Sequence, residues 1–273
     1  MTSPRAFHVR QVELSNGVTL QYVEQGDAAG TPLILLHAIA DSWRAFELVL
    51  PHLPASIHAF AVTQRGHGDA SRPAEGYRPE DFAGDLSLFM DALRIDTAVV
   101  AGGSSGGFIA RRFAIDHRAR TLGLALLGSP ATLRDKAGVI EAWQSTFSTL
   151  ADPIDEGFVR EFAESTLGGR VPLAFIDATV EENSKVPAYV WKATFEGLMN
   201  DNSLDELHKI AVPTLIVWGD QDEFLPRDDQ EALKSVIAGS QLVTYAGAGH
   251  AVYCEEPGRI ASDLADFVRK LAA

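Results

Sequence analysis

Between residues 97 and 114 the chain runs Thr97-Ala98-Val99-Val100-Ala101, then Gly102-Gly103-Ser104-Ser105-Gly106-Gly107, then Phe108-Ile109-Ala110-Arg111-Arg112-Phe113-Ala114. The first segment has the apolar, β-branched character of a buried strand, and the last has that of a helix. By composition alone the Gly–Ser tract would pass for a flexible linker. Placed between a strand and a helix, it has to reverse the chain within a few residues. Such a reversal forces the central serine into a strained backbone region and admits only small neighbours, because strand and helix pack closely around it. The turn lifts the serine oxygen above the sheet edge with a helix N-terminus aimed at it. This is the pattern of a nucleophile elbow, and it predicts a serine hydrolase.

The rest of the chain supplies the sheet that such a turn needs. Residues 9–14 and 18–24 read as strands joined by Ser15-Asn16-Gly17, a hairpin turn. Leu33-Ile34-Leu35-Leu36 is a continuous apolar run, as expected of a strand buried on both faces. An amphipathic segment follows at 43–50, then a strand at 58–63, a long helix at 79–93 and a further strand at 122–127. The final third alternates again, with strands at 213–218 and 241–245 and helices at 227–236 and 256–271. Alternating β and α units with short connections predict an α/β fold, a mostly parallel central sheet flanked by helices.

Residues 129–209 interrupt this alternation with helix-like patterns, prolines and large apolar side chains. An insertion between two sheet strands predicts a helical cap. It divides the chain into a first core segment (1–128), the cap (129–209) and a second core segment (210–273). Most of its aromatic residues should form the cap's own core. A few should line a substrate pocket, and Trp143, Phe147, Trp191 and Phe195 are the candidates, together with Ala38 and Gly103 beneath them.

The 273 residues carry Lys+Arg 23 against Asp+Glu 37, a formal net charge of -14, which disfavours nucleic-acid and anionic-membrane partners. A hydrophobic fraction of 46% with 22% charged residues fits an ordinary globular chain. No apolar leader or membrane-length run is present, so the cytoplasm is the expected location. The single cysteine, Cys254, excludes an internal disulfide and any multi-cysteine metal site, and is expected to pack as a small hydrophobe.

Two registers of G-x-S-x-G overlap in the elbow, centred on Ser104 or on Ser105. The first is favoured, because it puts a Gly-Gly pair two residues past the serine, where the helix must pack on the sheet. A serine hydroxyl needs a base, and His250 has the best setting, in the small-residue loop Ala246-Gly247-Ala248-Gly249-His250 after the last strand. That base needs an acid to fix its tautomer. Asp222, in Gly219-Asp220-Gln221-Asp222, is the candidate, while Asp220 is expected to shape the turn by binding backbone amides. The oxyanion donors should be the amides of Ile39, in the loop after the Leu33–Leu36 run, and of Ser105. His37 and His67 read as structural hydrogen-bonders in tight loops.

Taken together, Leu36-His37-Ala38, Arg65-Gly66-His67-Gly68, the elbow, Gly219-Asp220-Gln221-Asp222 and Gly249-His250 resemble the α/β-hydrolase superfamily over nearly the whole chain. The resemblance is to small capped bacterial esterases, some of which open acyl-homoserine lactones or cleave pyrethroid esters. Two departures stand out. Ala38 replaces the usual glycine of the oxyanion loop, which would strain or reshape that loop, and Gly103 replaces a usually bulky residue before the nucleophile, which would widen the pocket floor or loosen the elbow.

The resemblance implies a cofactor-independent carboxylic ester hydrolase, with no metal, acting on small hydrophobic esters or lactones, as a monomer or homodimer. Serine-triad relatives with other chemistry stand beside it: perhydrolase, C–C bond hydrolase, acyltransferase and hydroxynitrile lyase. A small-ligand receptor on the same fold is the alternative outside catalysis. Haloalkane dehalogenases and epoxide hydrolases use an aspartate where this chain has Ser104.

Overall fold

The computed structural model describes residues 7–167 and 170–271. Eight strands form one sheet in the order β1-β2-β4-β3-β5-β6-β7-β8. In chain order they are β1 (Arg10–Glu13), β2 (Thr19–Gln25), β3 (Thr31–Leu36), β4 (Ile57–Thr63), β5 (Ala98–Gly103), β6 (Thr121–Leu127), β7 (Thr214–Gly219) and β8 (Gln241–Tyr245). The pairings of β1 with β2 and of β2 with β4 are antiparallel, and all others are parallel. The mostly parallel sheet of the sequence reading is therefore present, with the expected hairpin at its antiparallel edge.

Central strands are apolar on both faces because both faces are covered. Ile34, Val100, Leu124 and Ile216 face a layer that includes Phe89 of α1 (Pro79–Ala92), Phe113 of α2 (Gly106–Asp116) and, beyond four further helices, Leu233 of α7 (Arg227–Val236). On the other side, Leu33, Leu35, Val99, Ala125 and Val217 pack with Phe46, with Tyr253 of α8 (Val252–Glu255), and with Ile260 and Leu264 of α9 (Pro257–Leu271). The segment after β3 forms two short 3-10 turns, Trp43–Phe46 and Leu50–His52, with Pro51 inside the second.

Between β6 and β7 lie α3 (Ala137–Ser145), α4 (Glu156–Leu167), α5 (Leu173–Ser184) and α6 (Ala188–Met199). The ends of this insertion are tied to α2 by Arg111, which is fully buried. Its Nε donates to Ser203 Oγ (2.8 Å), Nη1 to the carbonyls of Pro130 and Ala131 (2.9 Å each), and Nη2 to Asp201 (2.8 Å). The guanidinium also lies 3.9 Å from the Phe108 ring centroid. Among the described residues no helix is long and apolar enough to cross a membrane.

Candidate active site

The elbow joins β5 to α2, and Ser104 sits at its apex with φ of 47°, a left-handed conformation that serine rarely adopts. Its amide donates to Leu127 O on the neighbouring strand (2.9 Å), which fixes the turn to the sheet. The turn closes this tightly only because α2 begins with glycine. A Cβ on Gly106 would stand 2.4 Å from Leu36 O and 2.6 Å from His37 O.

Ser104 Oγ lies 2.9 Å from His250 Nε2, and His250 Nδ1 lies 2.9 Å from Asp222 Oδ2. Of the two serines, Ser104 is the one whose hydroxyl faces the imidazole, while the Ser105 side chain turns away toward Ile39. The Asp222 side chain is completely buried. Its other oxygen accepts the amides of Phe224 and Leu225 at 2.9 Å each, so the carboxylate cannot swing away from the ring. With Nδ1–H given to Asp222, Nε2 is left to accept the serine proton. Asp220 stands one turn earlier and accepts the Gly247 amide (2.7 Å), pinning the histidine loop to the β7 loop. Those hydrogen bonds hold its carboxyl below the usual carboxylate range, the Gln221 side chain contributing most.

The oxyanion loop departs from expectation in one respect. Ile39 and Ser105 are adjacent, as predicted, and the Ser105 amide has no acceptor among the described residues. The Ile39 amide, however, donates to Ser105 Oγ at 2.7 Å. Of the two expected donors, one is free and the other is held by the hydroxyl next to it. Ala38 does not strain the loop, because the positive φ falls on Ala40 (66°) instead.

His37 and His67 take the structural places expected of them. His37 Nε2 accepts the Gln64 amide (3.0 Å), and its Nδ1 lies 2.7 Å from Ala38 O. Burial, reinforced by the neighbouring His67, drives its pKa well below the usual histidine value. His67 Nδ1 lies 2.8 Å from Arg65 O, and burial lowers its pKa to about 4. Cys254 is buried against Ala45, and burial pushes its thiol pKa up, so it packs as expected.

The cavity at Ser104 is lined by Ala38, Ile39, Asp41, His250, Ala251 and Tyr253 from the core, and by Phe162, Thr166, Leu167, Thr179 and Asn183 from α4 and α5. Ala38 thus lines it as expected, whereas Trp143, Phe147, Trp191, Phe195 and Gly103 do not. The four aromatics point into the insertion's own core. The Phe147 and Phe195 rings stack with centroids 3.9 Å apart, Trp143 stacks parallel on Phe195, and Trp191 is fully buried against Phe162 at 5.0 Å. Burying these rings against one another removes more apolar surface from water than leaving them around a cleft. Gly103 does not widen the floor either. A Cβ there would lie 2.6 Å from Tyr253 Cε1, so the tyrosine ring fills the space that a bulky residue would occupy.

Asp41, Phe162, Thr166, Leu167, Thr179, Asn183, Ala251 and Tyr253 are the cavity residues that sequence reasoning missed. A signal for Asp41 was available, a carboxylate four residues past His37 at a strand end. For Thr179 and Asn183 there was none, because spacing does not say which face of a helix meets the site. No Lys or Arg is among the lining residues of this cavity. On its outer side the His250 ring is covered by Phe224, 52% exposed with ring centroids 5.2 Å apart.

Comparison with known proteins agrees with this architecture. The sequence model of the alpha/beta hydrolase family matches residues 33–263. The chain is 30% identical to the AB hydrolase superfamily protein YisY of Bacillus subtilis, over 87% of this chain and 91% of that one. Among solved structures, the esterase RhEst1 from Rhodococcus sp. superimposes with a TM-score of 0.82 at 25% identity, covering 96% of this chain and 99% of that one. Est816, described as an N-acyl homoserine lactone degrading enzyme, gives a TM-score of 0.78 at 27% identity, covering 94% and 100% respectively. The chain belongs to the alpha/beta hydrolase family.

Proposed function

We propose that this protein is a carboxylic ester hydrolase that works through an acyl-enzyme on Ser104. The observation that carries the reading is the continuous line from Ser104 Oγ through His250 to Asp222, with both links at 2.9 Å. Ser104 attacks the ester carbonyl carbon while His250 Nε2 takes its proton. The tetrahedral oxyanion is held by the Ser105 amide and by the Ile39 amide once Ser105 Oγ gives it up. The intermediate then collapses, the C–O bond to the alcohol breaks, and His250 returns its proton to the leaving oxygen. Water enters and attacks the acyl carbon as His250 takes its proton; the bond to Ser104 Oγ then breaks, His250 returns the proton to that oxygen, and the acid leaves.

A lactone is an ester whose leaving alcohol stays tethered, so the same steps open it. The likeness to RhEst1 and Est816 supports both substrate forms. A wall without Lys or Arg suits an uncharged acyl group better than an anionic one.

The test is a panel of short-chain esters and lactones run on wild type, Ser104→Ala and Asp222→Asn. Loss of the nucleophile should lower kcat by roughly 10⁴–10⁶ and loss of the acid by about 10⁴. A Ser104→Ala enzyme near wild type, with Ser105→Ala dead, would move the nucleophile to Ser105. A wild type that cleaves no ester or lactone but cleaves diketones, forms peracids or splits cyanohydrins would replace the ester reading with that chemistry.

A further inference from the structure

Besides Ser104 and His250, the cavity is lined by the polar side chains of Asp41, Thr179 and Asn183. Asp41 stands there at 9% exposure, in the same cavity as Ser104 and His250. One carboxylate oxygen accepts only the amide of its own neighbour, Ser42, at 3.2 Å. The other has no hydrogen bond or cation among the described residues. Thr179 and Asn183 of α5 line the same cavity, at 5% and 2% exposure. Oriented to suit its surroundings, the Asn183 amide nitrogen donates to Ala40 O (2.9 Å) and Thr179 O (3.1 Å), which fastens α5 to the loop that carries Asp41. A buried carboxyl short of partners costs free energy that a ligand can return.

We propose that Asp41, with Thr179 and Asn183, forms a subsite for a hydroxyl group on the acyl part of the substrate, so that esters of short hydroxy acids are preferred to esters of the plain acids. The inference rests on the ester-hydrolase reading of the same site.

Three kinds of polar group could meet this wall, and the surroundings separate them. An anionic group finds no cation in the cavity. Glu182, whose carboxylate is already held by Lys185 (2.8 Å) and Arg44 (3.5 Å), adds negative potential beside Asp41. A cationic group needs a committed counter-charge. Burial raises the Asp41 pKa to about 7, so the carboxyl is not a committed anion at neutral pH. Tyr253, which lines the cavity, and Cys254, beside it on α8, are held neutral by burial, and His250, also in the cavity, is committed to Asp222 and Ser104. A hydroxyl satisfies either state of Asp41, donating to the carboxylate and accepting from the acid. The cavity is small, about 40 Å³, which suits a short acyl part.

The experiment compares kcat/KM for ethyl butyrate, ethyl 2-hydroxybutyrate and ethyl 3-hydroxybutyrate on wild type, Asp41→Leu and Asp41→Asn, with folding checked by thermal melting. Wild type should favour one hydroxy ester about tenfold or more, Asp41→Leu should bring that ratio to about 1 or below, and Asp41→Asn should restore part of it. Equal ratios in wild type and Asp41→Leu, or a wild-type ratio near 1 for both hydroxy esters, would overturn the proposal. Calorimetric binding of the same esters to Ser104→Ala gives a readout without turnover. A tenfold binding preference there, lost in the Ser104→Ala/Asp41→Leu double variant, supports the subsite even if wild type cleaves none of the three. Equal binding refutes it. A wild type that cleaves none of them counts against the ester-hydrolase reading alone.

Discussion

Replacing Asp41 with asparagine should stabilise the protein above neutral pH and leave it nearly unchanged in acid. The asparagine keeps the shape and the acceptor for the Ser42 amide but removes the charge. Burial raises the carboxyl from 3.8 to about 7. In the folded state it therefore binds its proton more tightly than in the unfolded chain. Its contribution is fully present below about pH 4 and is lost as pH rises through about 7. The shift sets a ceiling of ~4 kcal/mol on that loss. Asp41 is 9% exposed, so water reaches the carboxyl and the realised loss should be about 1–3 kcal/mol. Urea unfolding of both proteins at a series of pH values from 4 to 9 provides the assay. The difference in unfolding free energy should be flat in acid, grow between about pH 4 and 7, and level off above, with a melting gain of about 2–10 °C at the plateau. Parallel curves for the two proteins across the whole range would refute the buried, unpartnered carboxyl.

Two further substitutions probe the elbow. Ser105→Ala releases the Ile39 amide from the 2.7 Å bond that competes with the oxyanion, and should raise kcat/KM for a short ester about 2- to 10-fold. A tenfold fall would instead make the hydroxyl itself an oxyanion donor. Gly106→Ala places a Cβ 2.4 Å from Leu36 O, and should destabilise the fold by about 2–3 kcal/mol, seen as a melting drop of roughly 5–10 °C. Melting within a degree of wild type would show that the turn has room to spare.

What could be read from the chain followed from short-range rules. Strand runs such as Leu33-Ile34-Leu35-Leu36 are apolar on both faces whatever packs on them, and a serine between glycines at a strand end has few other structural uses. His250 and Asp222 were legible for the same reason, since each lies in a loop that must follow a strand. The cavity was not, because it depends on which faces of α4 and α5 meet the core. The aromatic count of the insertion suggested an aromatic pocket, yet Trp143, Phe147, Trp191 and Phe195 satisfy one another, and the wall near Ser104 falls partly to Asp41, Thr179 and Asn183. Gly103 misled in a similar way. The volume missing at that position is supplied by Tyr253, 150 residues later, and only the packed fold brings the two together.

Arg111 fixes the roots of the insertion that covers Ser104. One guanidinium on α2 grips both ends of the α3–α6 segment. Lifting the whole insertion would strip a buried charge of its partners, at a cost of several kcal/mol. Without that motion the site still meets solvent, through an open cavity lined by Ser165 of α4, by Phe224 and by His250.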